Sequence, residues 1–506
     1  MKGVRRLSWM GAVAAATALS ACAVGPDYRR PLAPVPAQYK EAQPQPGWKL
    51  GQPNDAINRG AWWSIYNDPV LDGLERKIDI SNQNVKAAAA ALRQSEEIVA
   101  GARAGFFPTG TVTLSAQRSR AAGSGSGAAG SGGGNGVILS SFSGDVAASW
   151  APDFWGKIRR TVEADVASAQ ASAADLANAR LSAEGTLAGD YLQLRIADEL
   201  KRLFDKAAAA FAESLRITRN QFAAGTASLS DVSQAEAQLG STQAQAIATG
   251  VARAQFEHAI AVLIGVPPAA LSIAPTDFVD QVPEIPAGLP SALLERRPDI
   301  AAAERTMAAA NSEIGVAVAA FYPTITLSAD AGTAAATLGR LFSASGESWS
   351  FGANLVETVF EAGLRNAQVR AASAVFDQDL ALYRQTVLAA FQQVEDQLAA
   401  LRILAAEQQV QDQAVAAAYE AMRIINNQYL AGTQAYTAVV VAQQTALTDA
   451  ETALTIRQNR LLASASLIQA LGGGWSTQEL PTRETIEAQA PLDFNPLPPF
   501  LPVQGR

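Results

Sequence analysis

The chain has 506 residues, of which only 17 % are charged, and its formal net charge is −8 with a pI near 5.0. An acidic chain of this composition lacks the basic surface that binds nucleic acid. It contains one histidine, His258, and one cysteine, Cys22, so no zinc site of Cys and His ligands and no Cys–His nucleophile can be assembled. Composition therefore predicts a protein that is not an enzyme, holds no metal and binds no nucleic acid.

Residues 1–21 have the pattern of a lipoprotein signal peptide. Three basic residues precede an apolar run that is too short to span a bilayer and that ends in Leu-Ser-Ala, immediately before Cys22. The plain alternative is an ordinary signal peptide followed by a chance thiol. Because the only cysteine stands at the cleavage position, we expect Cys22 to carry a covalent N-acyl diacylglyceryl lipid, with no other cofactor. Ala23, rather than an aspartate, follows it and favours sorting to the outer membrane.

Proline-rich segments divide the rest of the chain. No later segment has the ~18 consecutive apolar residues that a spanning helix needs, so any membrane crossing is predicted to use strands. The predicted segments are a lipid-anchored strap (22–71), a first repeat (72–266), a connector (267–290), a second repeat (291–471) and a Pro/Gly-rich tail (472–506).

The two repeats carry the same motifs. Phe-Phe-Pro-Thr at 106–109 recurs as Phe-Tyr-Pro-Thr at 321–324, and Asn-Gln-Phe-Ala-Ala-Gly-Thr at 220–226 recurs as Asn-Gln-Tyr-Leu-Ala-Gly-Thr at 427–433. The nearly constant spacing of roughly 210 residues indicates a tandem duplication. Each copy predicts a helix, two strands, a very long helix, a glycine turn and a returning helix. In the first copy the opening helix is predicted near residues 72–103.

Apolar and polar side chains alternate at 111–116, 142–150, 324–331 and 349–355, which is typical of strands. Each strand is expected to be about ten residues long. One apolar face with aromatic residues at the strand ends is typical of transmembrane β-strands, and a soluble antiparallel sheet with one wet face is the alternative. The Gly/Ser-rich segment 123–136 is predicted to be an exposed loop between the first two strands.

Proline-free, periodic stretches follow each strand pair, near 157–222 and 364–429. At 1.5 Å per residue each would form a helix of ~100 Å, which must pack against other helices along its length. Shorter helices are predicted to return after the glycine turns. Four strands cannot close a barrel, and an open edge in lipid leaves backbone groups unpaired, so several chains must pool their strands.

Several motifs of the mature chain occur together in one known family. They are Cys22 followed by Gly-Pro-Asp-Tyr at 25–28, Asp-Phe-Trp-Gly-Lys at 153–157, and Leu-Leu-Glu-Arg-Arg-Pro-Asp-Ile at 293–300. With the Ala-Gly-Thr turns, they make the chain resemble the outer membrane efflux factor family, the TolC-like proteins, in its lipoprotein branch. The resemblance implies an α+β membrane protein: a homotrimer whose twelve strands, four per chain, form one outer-membrane β-barrel, continuous with an α-helical coiled-coil barrel across the periplasm.

The resemblance also implies roles for the two turns. In the family, such turns form the periplasmic end, where an adaptor docks and the channel is closed. The implied adaptor-docking residues are Gly225, Thr226, Gly432 and Thr433, although a glycine at these turns is required by backbone geometry in any case.

The resemblance further implies a gate near the turns. Asp231 and Tyr429 match positions that tie neighbouring coiled coils together in the closed state. The family's paired aspartates are replaced here by Ala438 and Val441. We therefore expect an apolar constriction built from Val439, Val440 or Val441, which can gate by dewetting.

The sequence thus predicts the outer-membrane exit duct of a tripartite efflux system. It would export small molecules or drugs with a periplasmic adaptor and an inner-membrane RND-type transporter, while contacting outer-membrane lipid. A duct for type I protein secretion is one alternative. A trimeric envelope scaffold or adhesin without a conducting pore is another.

Overall fold

A computed structural model describes residues 23–41, 61–121, 137–276, 282–283, 285, 293–343 and 346–494. The signal peptide, Cys22 and the loop segment 123–136 lie outside the described residues, so the predictions made for them stay predictions.

The described residues form ten α-helices. They are α1 Pro69–Glu75, α2 Ile78–Ser81, α3 Gln83–Ala104, α4 Lys157–Ala223, α5 Leu229–Leu263, α6 Leu293–Arg296, α7 Pro298–Ala319, α8 Leu364–Leu430, α9 Tyr436–Ala470 and α10 Arg483–Gln489. The longest occur in pairs of equal length. Helices α3 and α7 have 22 residues, α4 and α8 have 67, and α5 and α9 have 35.

The opening helix of the first repeat is interrupted, and the prediction of one helix near 72–103 was wrong. Asn82 takes an extended conformation, and its side chain accepts hydrogen bonds from the first amides of α3. Its amide group also donates to the carbonyl of Leu263, 2.7 Å away, at the end of α5. Asn82 therefore caps two helix ends at once, which favours a break over a continuous helix.

The strands form one antiparallel sheet in the order β1-β2-β3-β4. Their bounds are β1 Thr109–Ala121, β2 Val137–Trp150, β3 Thr324–Ala335 and β4 Glu347–Val356. The first repeat supplies β1 and β2 and the second supplies β3 and β4, so each repeat leaves one strand at an edge of the sheet.

The register places the apolar side chains of all four strands on one face. Val112 lies opposite Val146, Val146 lies opposite Ala331, and Ala331 lies opposite Trp349. Opposite residues of paired strands share a face of the sheet. The predicted alternation is therefore confirmed, and the apolar face is open: Val112 is 73 % exposed and Trp349 75 %.

The long helices form a layer that continues from the sheet. Helix α4 packs along α5, α8 packs along α9, and α4 also packs against α9. These contacts give the order α5-α4-α9-α8. Helix α5 of the first repeat lies at one edge, and α8 of the second repeat lies at the other. The main core, built around Trp62, Tyr191 and Tyr383, joins the two repeats where α7 packs on both α4 and α8.

Candidate functional site

Both long helices end in the same turn. Gly225 has φ +77° and Gly432 has φ +75°, a left-handed conformation that strains any residue with a Cβ atom. The amide of Thr226 donates to the carbonyl of Gln221 at 2.8 Å, and the matching bond from Thr433 is 2.9 Å long. These are the bonds of a Schellman motif, which satisfies the last carbonyls of a helix. The predicted adaptor-docking residues thus form two identical, tightly bonded helix ends, which are the two tips of the chain.

The predicted gate residues Tyr429 and Asp231 do not bond to each other within one chain. The Tyr429 hydroxyl donates its single proton to Oε1 of Gln221 instead, which links α8 to α4. The Asp231 carboxylate accepts the Ser228 amide at 2.9 Å and completes a capping box at the start of α5. Each residue therefore has its own partner in its own chain.

A small apolar cluster lies just above these bonds. It joins Leu215 of α4, Val232 of α5 and Tyr436 of α9. The Tyr436 ring centroid lies 5.3 Å from that of Tyr429, and burial raises the pKa of Tyr436. Because three helices contribute to one cluster, the two tips of a chain are packed as one unit. Sequence analysis missed Tyr436, although it immediately follows the second tip.

The three valines of the expected constriction face different directions. Val439 is only 1 % exposed and packs inside the tip cluster, so it cannot line a duct in this conformation. Val440 is partly buried against the same cluster. Val441 is 66 % exposed and is the one of the three that is free to line a passage.

Val441 borders an open groove of about 470 Å³ between α8 and α9. Ala438, the other position at which the resemblance implies an aspartate, lines the same groove. None of its lining side chains is charged: Ala418, Ala421, Ile425, Thr437, Ala438, Val441, Ala442 and Thr445. The groove around Ala438 and Val441 is therefore uncharged, and its role in a constriction stays a prediction.

Two motifs that are far apart in the sequence meet below the sheet. The amide of Val24 donates to the carbonyl of Trp155 at 3.1 Å. Arg160, three residues beyond that motif, donates to the carbonyl of Val24 and to Asp27, at 3.1 and 2.9 Å. Ala23 packs closely on Gly156. A Cβ atom added to Gly156 would lie only 2.7 Å from the Cα atom of Ala23. The strap that follows Cys22 is thereby fixed at the junction of β2 and α4.

The Arg-Arg-Pro-Asp run places a buried guanidinium between three helices. Arg297 is 7 % exposed and precedes α7, where it pairs with Asp299 at 2.6 Å. It also donates to Gln393 of α8 and to the carbonyl of Ala470 at the end of α9, both at 2.9 Å. Arg297 therefore joins the second repeat's helices at the level of the main core.

Titratable groups inside the chain form no metal site among the described residues. The most perturbed carboxyl is Glu75, where burial, and secondarily the charge of Glu184, raises the pKa to about 10. Glu184 itself accepts a 3.0 Å hydrogen bond from Trp62, and burial raises its pKa to about 7. At neutral pH Glu75 is therefore protonated, which lowers the cost of burying it in the core.

The pattern of one protein family, described as "Outer membrane efflux protein", matches residues 76–266 and 289–473, more than half of the chain. The chain belongs to this family. It is similar to the probable efflux pump outer membrane protein TtgC of Pseudomonas putida, with 29 % identity over 476 residues, 94 % of this chain and 97 % of TtgC. It is also similar to the pyoverdine export outer membrane protein OpmQ of Pseudomonas aeruginosa, with 30 % identity over 425 residues, 84 % of this chain and 89 % of OpmQ.

A solved structure agrees with this assignment. The outer-membrane channel OprN matches with a TM-score of 0.81 and 27 % identity, over 90 % of this efflux protein and all of the OprN chain. The family predicted from the motifs is thus confirmed, and the efflux protein is an outer-membrane channel protein. Within its described residues, every helix falls short of the length or apolar character that crossing a membrane requires.

Proposed function

We propose that this efflux protein is the trimeric exit duct of a tripartite pump that moves small molecules to the exterior. Its partners would be a periplasmic adaptor at the tips and an inner-membrane RND-type transporter. The observation that carries the proposal concerns the edges of the sheet and of the helix layer. Each layer has one edge from each repeat, and neither edge has a partner among the described residues, so an edge of one copy can pair with the opposite edge of the next. Names of relatives support the substrate class, since they include a pyoverdine export protein and a toluene efflux pump protein.

The sheet supports pooling of strands between copies. Its edges β1 and β4 come from different repeats, and one side of each strand has no backbone partner among the described residues. In lipid such edges are costly unless they pair, and pairing β1 of one copy with β4 of the next closes a ring. Three copies give twelve strands, with the apolar face toward lipid. The polar face, which includes Asp145 and Asp330, would line the lumen.

The helix layer supports the same arrangement. Five of the exposed apolar residues on α8 are spaced at multiples of seven positions, the repeat of a coiled-coil seam. They are Val375, Leu382, Ile403, Val410 and Ile424. Helix α5, at the opposite edge, exposes Ile247, Val251 and Val262. An apolar seam on each edge favours contact between α8 of one copy and α5 of the next. The equal helix lengths of the two halves support the proposed duplication.

A pair of cysteines tests this contact. Ile247 lies 18 residues from the start of α5 (247 − 229) and Val410 lies 20 from the end of α8 (430 − 410). At 1.5 Å per residue both are roughly 30 Å from their tips. We expect the variant Ile247→Cys/Val410→Cys, after mild oxidation, to give covalent dimers and trimers in denaturing electrophoresis.

The control pairs Ile247→Cys with Thr455→Cys, an exposed position 19 residues from the start of α9 (455 − 436). Because α9 is not an edge helix, this variant should form no covalent trimer. A product that stops at the dimer in the test variant would contradict a closed ring of three.

Cys22 is retained in these variants, since we propose that its thiol is acylated and therefore cannot form a disulfide. An unmodified thiol in its N-terminal peptide, seen by mass spectrometry of the same sample, would contradict that.

We propose that the gate lies at the tips and is closed partly by the Tyr429–Gln221 bond and partly by Val441. Tyr429→Phe removes the bond, which contributes about 0.5–1.5 kcal/mol per copy, and should raise basal conductance several-fold in planar bilayers. Tyr419→Phe is the control, because Tyr419 is exposed on the same helix and its hydroxyl has no hydrogen bond among the described residues.

The two predicted gate residues can also be separated. Asp231→Ala should loosen the start of α5 through loss of its capping box. Its effect should add to that of Tyr429→Phe, because the two side chains make separate bonds within the chain. If the double variant conducts no more than either single variant, the two residues act as one pair across neighbouring subunits.

A further inference from the structure

Strand β1 carries two arginines beyond its apolar stretch. Arg118 lies opposite Ser140 and Arg120 opposite Ile138, in the same register that places Leu114 opposite Gly144. Since side chains alternate along a strand, both arginines lie on the apolar face. Both are exposed, and neither makes a hydrogen bond or ion pair with any residue that the structure describes.

Charges are separated between the two faces of the sheet. Asp145 and Asp330 lie on the polar face, opposite Thr113 and Ser350. The remaining acidic residue of the strands, Glu347, shares the apolar face with the arginines but lies on β4, at the other edge. Among the described residues of one chain, the arginines therefore have no carboxylate beside them on their own face.

The arginines lie at one end of the apolar face. Strand β1 begins at Thr109, close after α3, and Arg118 and Arg120 are near its other end, away from the helices. Apolar residues of the same face continue down the strand, and Ile138, 54 % exposed, lies beside Arg120. A charged pair at the border of an open apolar face fits an amphiphile with an anionic head and apolar chains.

We propose that Arg118 and Arg120 bind the phosphate groups of a phosphorylated lipid headgroup in the outward-facing membrane leaflet. This rests on the proposed function, in which the apolar face contacts lipid and the end of the sheet away from the helices points outward. Two positions on a strand are ~7 Å apart, so the guanidinium groups can hold one phosphate jointly or two phosphates separately. Guanidinium suits phosphate because it donates two parallel hydrogen bonds.

A lipid titration of the purified full-length channel tests the site. The probe is bisphosphorylated lipid A in mixed micelles, with dephosphorylated lipid A as the reference, and bound lipid is counted by native mass spectrometry. We expect the wild type to prefer the phosphorylated lipid. Arg118→Gln/Arg120→Gln should lose that preference, with affinity falling by about fivefold for each arginine replaced.

A matched control makes the same change in net charge elsewhere. Arg216→Gln/Arg423→Gln alters two exposed arginines near the tips and should leave lipid binding unchanged. The proposal is overturned if wild type binds both lipids equally or if equimolar inorganic phosphate displaces the lipid. It is also overturned if Glu347→Gln reproduces the loss, since the arginines would then pair with Glu347 of a neighbouring copy.

Failure of this site is distinguishable from failure of the proposed function. The Arg118→Gln/Arg120→Gln channel should conduct like the wild type in neutral phospholipid bilayers, because the arginines face away from the polar side of the sheet. A wild-type protein that binds lipid but never conducts would instead contradict the exit-duct proposal and leave the lipid site standing.

Discussion

Replacing Arg297 with alanine is expected to destabilise the efflux protein by ~1–3 kcal/mol, the cost typical of leaving buried hydrogen-bond acceptors without their partner. Arg297 is buried and is bonded to Asp299, Gln393 and the carbonyl of Ala470. Its removal leaves these acceptors facing a cavity between α7, α8 and α9. The loss should therefore appear as a failure of the second repeat's helices to pack.

The measurement is a denaturant titration of the folded protein, followed by tryptophan fluorescence, together with the yield of assembled protein. Arg296→Ala is a matched control, because Arg296 is the preceding residue and its side chain is exposed. It should shift the free energy of unfolding by no more than ~0.5 kcal/mol. Equal effects of the two substitutions would show that the hydrogen bonds of Arg297 contribute little.

Local patterns were sufficient to predict most of the elements. The proline-free stretches gave the long helices to within one residue, 157–222 against Lys157–Ala223 and 364–429 against Leu364–Leu430. Alternation predicted the strands and their apolar face, because a strand has a period of two that is visible in a few residues. In β1 the alternation continues to Arg120, but the predicted stretch ended at residue 116 and therefore missed Arg118 and Arg120.

Contacts between distant segments were beyond local patterns. A run of three valines has no periodicity, so nothing in residues 439–441 indicates that Val439 packs inward while Val441 is exposed. That difference depends on where α4 lies against α9. Likewise, the partner of Tyr429 is Gln221, 208 positions away, and it belongs to the other repeat.

The seam on α8 is an intermediate case. Five of its exposed apolar residues are spaced at multiples of seven, and this spacing can be read from the sequence alone. A heptad pattern indicates a partner helix but does not say whether that partner lies in the same chain. Val410 and the other seam residues are exposed in a single chain. This exposure distinguishes their seam from the one by which α8 packs against α9.

Arginine at Val146 is expected to destabilise the efflux protein by ~2–4 kcal/mol, the cost measured for a charge near the bilayer midplane of a membrane β-barrel. Val146 lies on the inner strand β2, opposite Val112 and Ala331, in the middle of the apolar stretch from Phe142 to Trp150. An arginine there has no water around it and no carboxylate on the same face of the neighbouring strands β1 and β3, so its charge must be solvated by deforming the surrounding lipid.

The next residue provides the control. Ala147 lies on the polar face, opposite Thr111 and Asp330, so Ala147→Arg places its guanidinium beside a carboxylate. We expect it to leave stability nearly unchanged and to reduce cation conductance by partly neutralising the lumen. Unfolding by denaturant in phospholipid vesicles and single-channel recording measure the two effects. If Val146→Arg is tolerated as well as Ala147→Arg, the apolar face does not contact lipid, and its exposed side chains must be covered by protein instead.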